Sequence, residues 1–258
     1  MKLSYVHLYS TSFSTTSLIR KISQNLSELF SFVEIDVRSL AYYFNKNKSK
    51  DDIVDNLMIQ RSHEFLDTAH LHGLQNSLGD IDRKITFIDG FYLQRIYSRI
   101  IDRNEMQSNH THVIFEDNLV CTHDENDKRY HARPIICGSP GIISIAGIVE
   151  GPAKPKGYYF KQMLKDLLSI NSKEIENEFA DSYVSYDDPR LVPVATGYAI
   201  QAVFFFLTNG NPFCSNYPCR LFNSHRQEEL IYTQVIKPVL CKDHLGILAK
   251  AKKGFSRD

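Results

Sequence analysis

Two short pairs of ligand-type residues near the C-terminal end constrain this chain more than any other feature: Cys214-Ser-Asn-Tyr-Pro-Cys219 and Cys241-Lys-Asp-His244. The pattern is C-x4-C-x21-C-x2-H. Zinc takes four Cys or His donors in a tetrahedron, usually as two close pairs on turns, and both pairs have that spacing. Thiolates are soft donors that suit zinc. The linking segment must also close on itself. Ser224 to Gln227 reads as a capping box, and Pro238 ends the helix that follows it. About thirteen helical residues cover ~20 Å. The extended steps on either side can reach ~30 Å together, so one ion can be shared. The expectation is a single structural Zn2+ held by Cys214, Cys219, Cys241 and His244, in a subregion of about 210–250. Cys121 and Cys137 lie in strand-like segments and read as small buried hydrophobes.

The remainder reads as an ordinary globular protein. Its 258 residues are 43% hydrophobic and 23% charged. Thirty basic residues balance thirty acidic ones, so nothing in the net charge draws the chain toward nucleic acid or an anionic membrane. Its first residues do not form a signal peptide. The longest apolar run, Val192 to Leu207, is shorter than a ~20-residue span and reads as a buried core helix. A cytoplasmic location is expected, where five cysteines are thiols or metal ligands rather than disulfides.

The first forty residues spell β-α-β. Leu3 to Tyr9 is a strand. Leu18, Ile22, Leu26 and Leu29 place a helix over Thr16 to Phe30, and Val33, Ile35 and Val37 alternate as a second strand. The loop between them lacks glycine, which excludes a dinucleotide fingerprint. Residues 44–56 form a polar break. Lys84 to Tyr92 and Thr111 to Cys121 read as strands. His123 to Tyr130 is a charged turn, and His131 to Glu150 reads as short strands joined by tight turns. Tyr158 to Ile170 is a helix with Phe160, Leu164 and Leu167 on one face. This mixture is α/β, with α+β as the alternative, in a single domain over 1–258.

The cysteine segment resembles the archaemetzincin branch of the zinc metallopeptidases. That family carries H-E-x-x-H-x-x-G-x-x-H, then C-x4-C-x-M, then a later C-x-x-C that completes a structural zinc site. Cys214, Cys219 and Cys241 match three of the cysteines. His244 replaces the fourth, Leu221 stands at the Met, and Gly210 falls on the motif glycine. Val203, Leu207 and Phe213 occupy the three His positions, and Phe204 occupies the Glu position. None of these can ligate zinc or move a proton. Tyr130-His-Ala-Arg133, Ile148-Val-Glu-Gly-Pro-Ala-Lys-Pro155 and Cys219-Arg-Leu-Phe-Asn223 resemble more closely an uncharacterised archaeal family that carries the label metallopeptidase. The resemblance implies a metzincin-like mixed sheet with a zinc-stapled C-terminal helix. It also implies a pseudoenzyme that binds a peptide or protein along the old cleft.

An alternative is an active hydrolase whose site has moved to His123, Asp124, His131, Glu150 and His225, where a buried Glu beside a His would be poised for proton transfer. Against it stands a solvated turn. A zinc-stapled nucleic-acid-binding module is the third class. His63, His70 and His72 lie along one predicted helix, too far apart to share a metal. His110 and His112 alternate on a strand and share a face. Arg133, Lys154, Lys156 and Arg190 could line an anion site but read as solvated surface.

Overall fold

The computed structural model describes residues 2–40 and 87–255. The predicted loop over 44–56, the helix carrying His63, His70 and His72, and the first residues of the Lys84 strand lie outside the described residues.

The chain opens with β1 (Tyr5–Ser10), α1 (Phe13–Leu29) and β2 (Glu34–Ser39). Ser12 caps α1 by accepting from the Thr15 N–H at 3.3 Å. The inward stripe of α1 is Ile19, Ile22 and Leu26, all fully buried, with Leu18 and Leu29 at its margins. β3 (Phe87–Asp89) is shorter than predicted, because α2 (Gly90–Ile100) starts inside the expected strand. The Asp89 carboxylate accepts from the Tyr92 N–H at 2.8 Å and caps that helix.

Strands β4 (His110–Glu116), β5 (Leu119–Asp124), β6 (Arg129–Ala132), β7 (Ile135–Ile136) and β8 (Gly141–Ser144) follow. The expected strand ending at Glu150 is instead α3 (Ile145–Glu150). Ser144 Oγ accepts from the Gly147 N–H at 2.8 Å, and this cap turns a β-branched run into a helical one.

Helices α4 (Lys156–Leu168), α5 (Ser172–Phe179), α6 (Leu191–Leu207), α7 (Gln227–Ile231) and α8 (Lys242–Phe255) complete the chain. A π-helical turn over Tyr232–Ile236 extends α7. The predicted apolar face of α4 is not core: Phe160 is 62% and Leu167 81% exposed.

Two sheets result, ordered β2-β1-β4-β8-β7 and β3-β5-β6. Within the first, β2, β1, β4 and β8 run parallel and β7 is antiparallel. One face of this sheet, through Val6, Leu8, Val113, Phe115 and Ile143, packs with α1 and α6 in the main core. The other face carries Tyr9, Ile114 and Ile142 toward α2. The fold is mixed α/β. No helix among the described residues is long and apolar enough to cross a membrane.

Candidate metal centres

Backbone pairing brings the two ligand pairs together. Cys214 bridges Phe222 and Cys219 bridges Val239, so the segments before and after α7 lie against the first pair. The Cys214 N–H donates to Leu221 O and the Arg220 N–H to Val239 O. Cys241 stands immediately before α8, and His244 is on its first turn. The ligand atoms of Cys214, Cys219, Cys241 and His244 all lie within 4.8 Å of one another, with three of the residues buried. Cys214 Sγ and Cys241 Sγ are 3.9 Å apart, and Cys219 Sγ lies 3.7 Å from His244 Nδ1. A tetrahedron built on Zn–S bonds of ~2.3 Å has S···S edges of ~3.8 Å. Cys241 Sγ to His244 Nδ1, at 3.0 Å, is the compressed edge.

Two of the three sulfurs accept backbone hydrogen bonds. The Asn216 N–H donates to Cys214 Sγ and the Cys241 N–H to Cys219 Sγ. Burial works to raise the Cys241 thiol, but hydrogen bonds from the His244 backbone and ring at the start of α8 bring it down to about 7. Burial pushes the Cys214 thiol up to about 12, and the neighbouring Cys219 adds to the effect. Three thiolates cannot share so small a volume without a cation to neutralise them. Three sulfurs and one imidazole, all buried except the half-buried Cys241, match the donor set that structural zinc sites use. One element of the expected loop differs. The Ser224–Gln227 capping box does not form: Arg226 occupies the N-cap of α7 without a side-chain bond. Gln227 is fully buried and donates to Ile148 O and Val149 O while accepting from the Val184 N–H.

Helix α6 offers no metal ligand where the resemblance would place a catalytic one. Val203 and Phe204 are fully buried, and Leu207 packs on the same core. The Phe204 ring meets His244 edge-on at 5.4 Å between centroids and Phe30 at 6.1 Å. Phe204 therefore packs against the Cys3His cluster.

The remaining sequence candidates do not converge. His131 is a half-buried hairpin residue whose Nε2 lies 2.8 Å from Asp127. It forms a surface group with Asp124 and Asp127. His123 Nδ1 lies 3.3 Å from Glu125. Glu150 ends α3 and pairs with Lys154 at 3.6 Å. His225 is exposed, and its carbonyl accepts from the Ala153 N–H. No group of close ligand atoms among the described residues unites His123, His131, Glu150 and His225. Three of the four candidate cations are held by other groups, and Lys156 is exposed at the start of α4. Lys154 Nζ stands over the Tyr158 and Tyr183 rings. Arg133 Nε donates to Thr122 and Arg190 to Asp188. Burial raises the Cys121 and Cys137 thiols to about 12, which makes them inert.

A second convergence joins residues more than a hundred positions apart. His7, His110 and His112 bring ligand nitrogens within 4.8 Å of one another. Parallel register sets His7 between Asp36 and His112, and Tyr5 beside His110. His7 Nδ1 lies 2.8 Å from Asp36 Oδ1, and His7 Nε2 lies 2.8 Å from His110 Nδ1. His112 Nε2 donates to Glu105 O at 2.9 Å, so its Nδ1 accepts from the Tyr9 hydroxyl at 3.0 Å. Arg38 clamps both Asp36 and Glu105. Burial lowers His112 to about 4 and, with the nearby His7, moves His110 downward. The His110–His112 alternation was visible in the sequence. His7 was not, because only the β1–β4 register places it beside them.

Among curated proteins none matches this chain. A solved structure of an archaemetzincin from Methanopyrus kandleri is similar at 9% sequence identity, over 97% of this chain and 96% of that one, with a TM-score of 0.45. The model of a family described as "Probable metallopeptidase family (DUF6775)" matches residues 2–251, and the chain belongs to that family.

Proposed function

We propose that this family member is a zinc-stapled protein in which α6 no longer hydrolyses peptides, and that it binds a peptide or protein segment at the C-terminal end of that helix. The observation that carries this reading is the pairing of a closed Cys3His cluster with an α6 whose Val203, Phe204 and Leu207 offer neither ligand nor base. A metallopeptidase needs three ligands, an open position and a base beside the bound water. The cluster spends all four ligands on the staple, and α6 supplies none.

Support for binding comes from a cleft of about 210 Å³ lined by Phe205, Phe206, Asn209 and Gly210 from the end of α6, with Thr111, Gly138 and Ser139 opposite. The Thr111 hydroxyl is buried there without a hydrogen-bond partner among the described residues. A volume below the ~300 Å³ of a drug-sized site suits one partner side chain rather than a whole small ligand. Neutral net charge disfavours nucleic acid.

Elemental analysis of the purified chain tests the staple. Cys214→Ser is expected to lose one zinc per chain relative to wild type and to melt earlier, while His131→Ala keeps its metal. Fluorescence anisotropy with a library of unstructured peptides tests the binding. Ser139→Trp, which fills the cleft from an exposed position, is expected to weaken binding at least tenfold. Zinc-dependent cleavage of those peptides that is abolished by substitutions on α6 would refute the reading.

A further inference from the structure

The face of the first sheet opposite α6 breaks the rule for strands covered on both sides, which are normally apolar throughout. Tyr5, His7, Tyr9, His110 and His112 line it, flanked by Asp36 and Arg38 on β2. His7 is 3% and His112 1% exposed. Burying imidazoles is costly unless their nitrogens are satisfied, and local disagreement with folding rules marks functional positions.

We propose that His7, His110 and His112 form a second metal site, distinct from the Cys3His cluster, which takes a divalent first-row transition ion. Geometry supplies each part. Three imidazoles each bring one ring nitrogen within 4.8 Å of the others, with His7 Nε2 facing His110 Nδ1 at 2.8 Å. Two of the rings are aimed by their other nitrogen, His7 through Asp36 and His112 through the Glu105 carbonyl. A carboxylate or carbonyl behind an imidazole is the outer shell that metal-binding histidines use to fix tautomer and orientation. Arg38 holds that shell in place by pairing with Asp36 and Glu105. Imidazole donors without thiolate suit zinc, cobalt, nickel or copper rather than magnesium or calcium. Three protein ligands leave a fourth position. His110 is only half-buried, so an oxygen donor from solvent or from a bound partner can reach the ion.

Cobalt titration of the full chain tests the site independently of α6 and of peptide turnover. Chelator-stripped protein is titrated with Co2+ and followed by visible absorption. Two equivalents are expected. One carries the thiolate charge-transfer absorption of the cysteine cluster. The other shows ligand-field bands alone, remains in Cys214→Ser, and is lost in His110→Ala. Asp36→Asn is expected to weaken that second equivalent 10–100-fold. His131→Ala controls for the surface Asp124, Asp127 and His131 group. Three results overturn the proposal: a wild type that binds one equivalent, a second equivalent that survives in folded His110→Ala, or one that disappears in His131→Ala. If His110→Ala does not fold, cobalt-edge absorption of the doubly loaded wild type decides. A second ion with nitrogen and oxygen neighbours in imidazole geometry supports the site, and sulfur neighbours or oxygen alone refute it.

Discussion

Arg190 shows how a surface cation in a sequence can be a structural clasp in three dimensions. Its guanidinium donates to the carbonyls of Ala180, Asp181 and Tyr183, tying the turn before α6 to the helix entrance. Asp188 balances the charge through hydrogen bonds to both Nε and Nη2, and its side chain is 9% exposed. Burial alone would raise the Asp188 carboxyl, but the Arg190 guanidinium and backbone N–H outweigh it and hold the group below the usual carboxylate range. A depressed folded pKa adds stability above the unfolded value of about 3.9, and that stability is lost as pH falls through the folded value. Asp188→Asn is therefore expected to cost ~1–3 kcal/mol at neutral pH, the range for a buried charged hydrogen bond. The gap to wild type should close at acid pH. Urea melts at neutral pH and below pH 3 check this, and a penalty unchanged across that range would refute it.

At the scale of elements, α3 and α7 are locked by contacts that local sequence rules assign elsewhere. Gln227 fits a capping box within its own helix, yet its amide is drawn to the free carbonyls of α3 and to the Val184 N–H. Three buried bonds outcompete one exposed cap because unpaired buried carbonyls are costly. The same crowding explains Gly147. A Cβ there would lie 2.3 Å from the Arg133 carbonyl oxygen and 2.9 Å from Ser144 Cβ. Helix propensity alone would favour Gly147→Ala by ~1 kcal/mol. Overpacking against backbone typically costs ~1–3 kcal/mol and cannot be relieved by a rotamer change. A lower melting temperature is the expected result, and a melting temperature at or above wild type would refute the packing argument.

For the molecule as a whole, the cysteine cluster is the junction of three segments: the turn after α6, the extended strip before Val239, and the start of α8. Removing a structural zinc forfeits ~10 kcal/mol or more of apparent folding free energy. The sheet of β1, β2, β4 and β8 packs with α1 and α6 in the same core that Cys214, Cys219 and Leu221 join, but its hydrogen-bond ladders involve none of the four ligand residues. Chelation is expected to strip hydrogen-exchange protection first from Cys214–Phe255 while β1 and β4 stay protected. Mass spectrometry of exchanged peptides reads this directly, and simultaneous loss across both regions would show that the metal does not staple the C-terminal segment.

What the sequence by itself determined was local. Helical spacing placed α1, an apolar run placed α6, alternation placed β2 and apolar-rich runs placed β1 and β4, and the close pairs of Cys and His marked a cluster that could hold a metal, because each signal lies within a few residues. The end of the strand before α3 was not legible, since one serine cap overrode a β-branched run. Nor was the burial of α4, whose apolar stripe says only that a face is greasy, not that anything covers it. The histidine cluster was decided by tertiary structure alone. Alternation tells which face of a strand a side chain takes, but not which strand lies alongside or in what register, and only that register brings His7 to His110 and His112 across a hundred residues of chain.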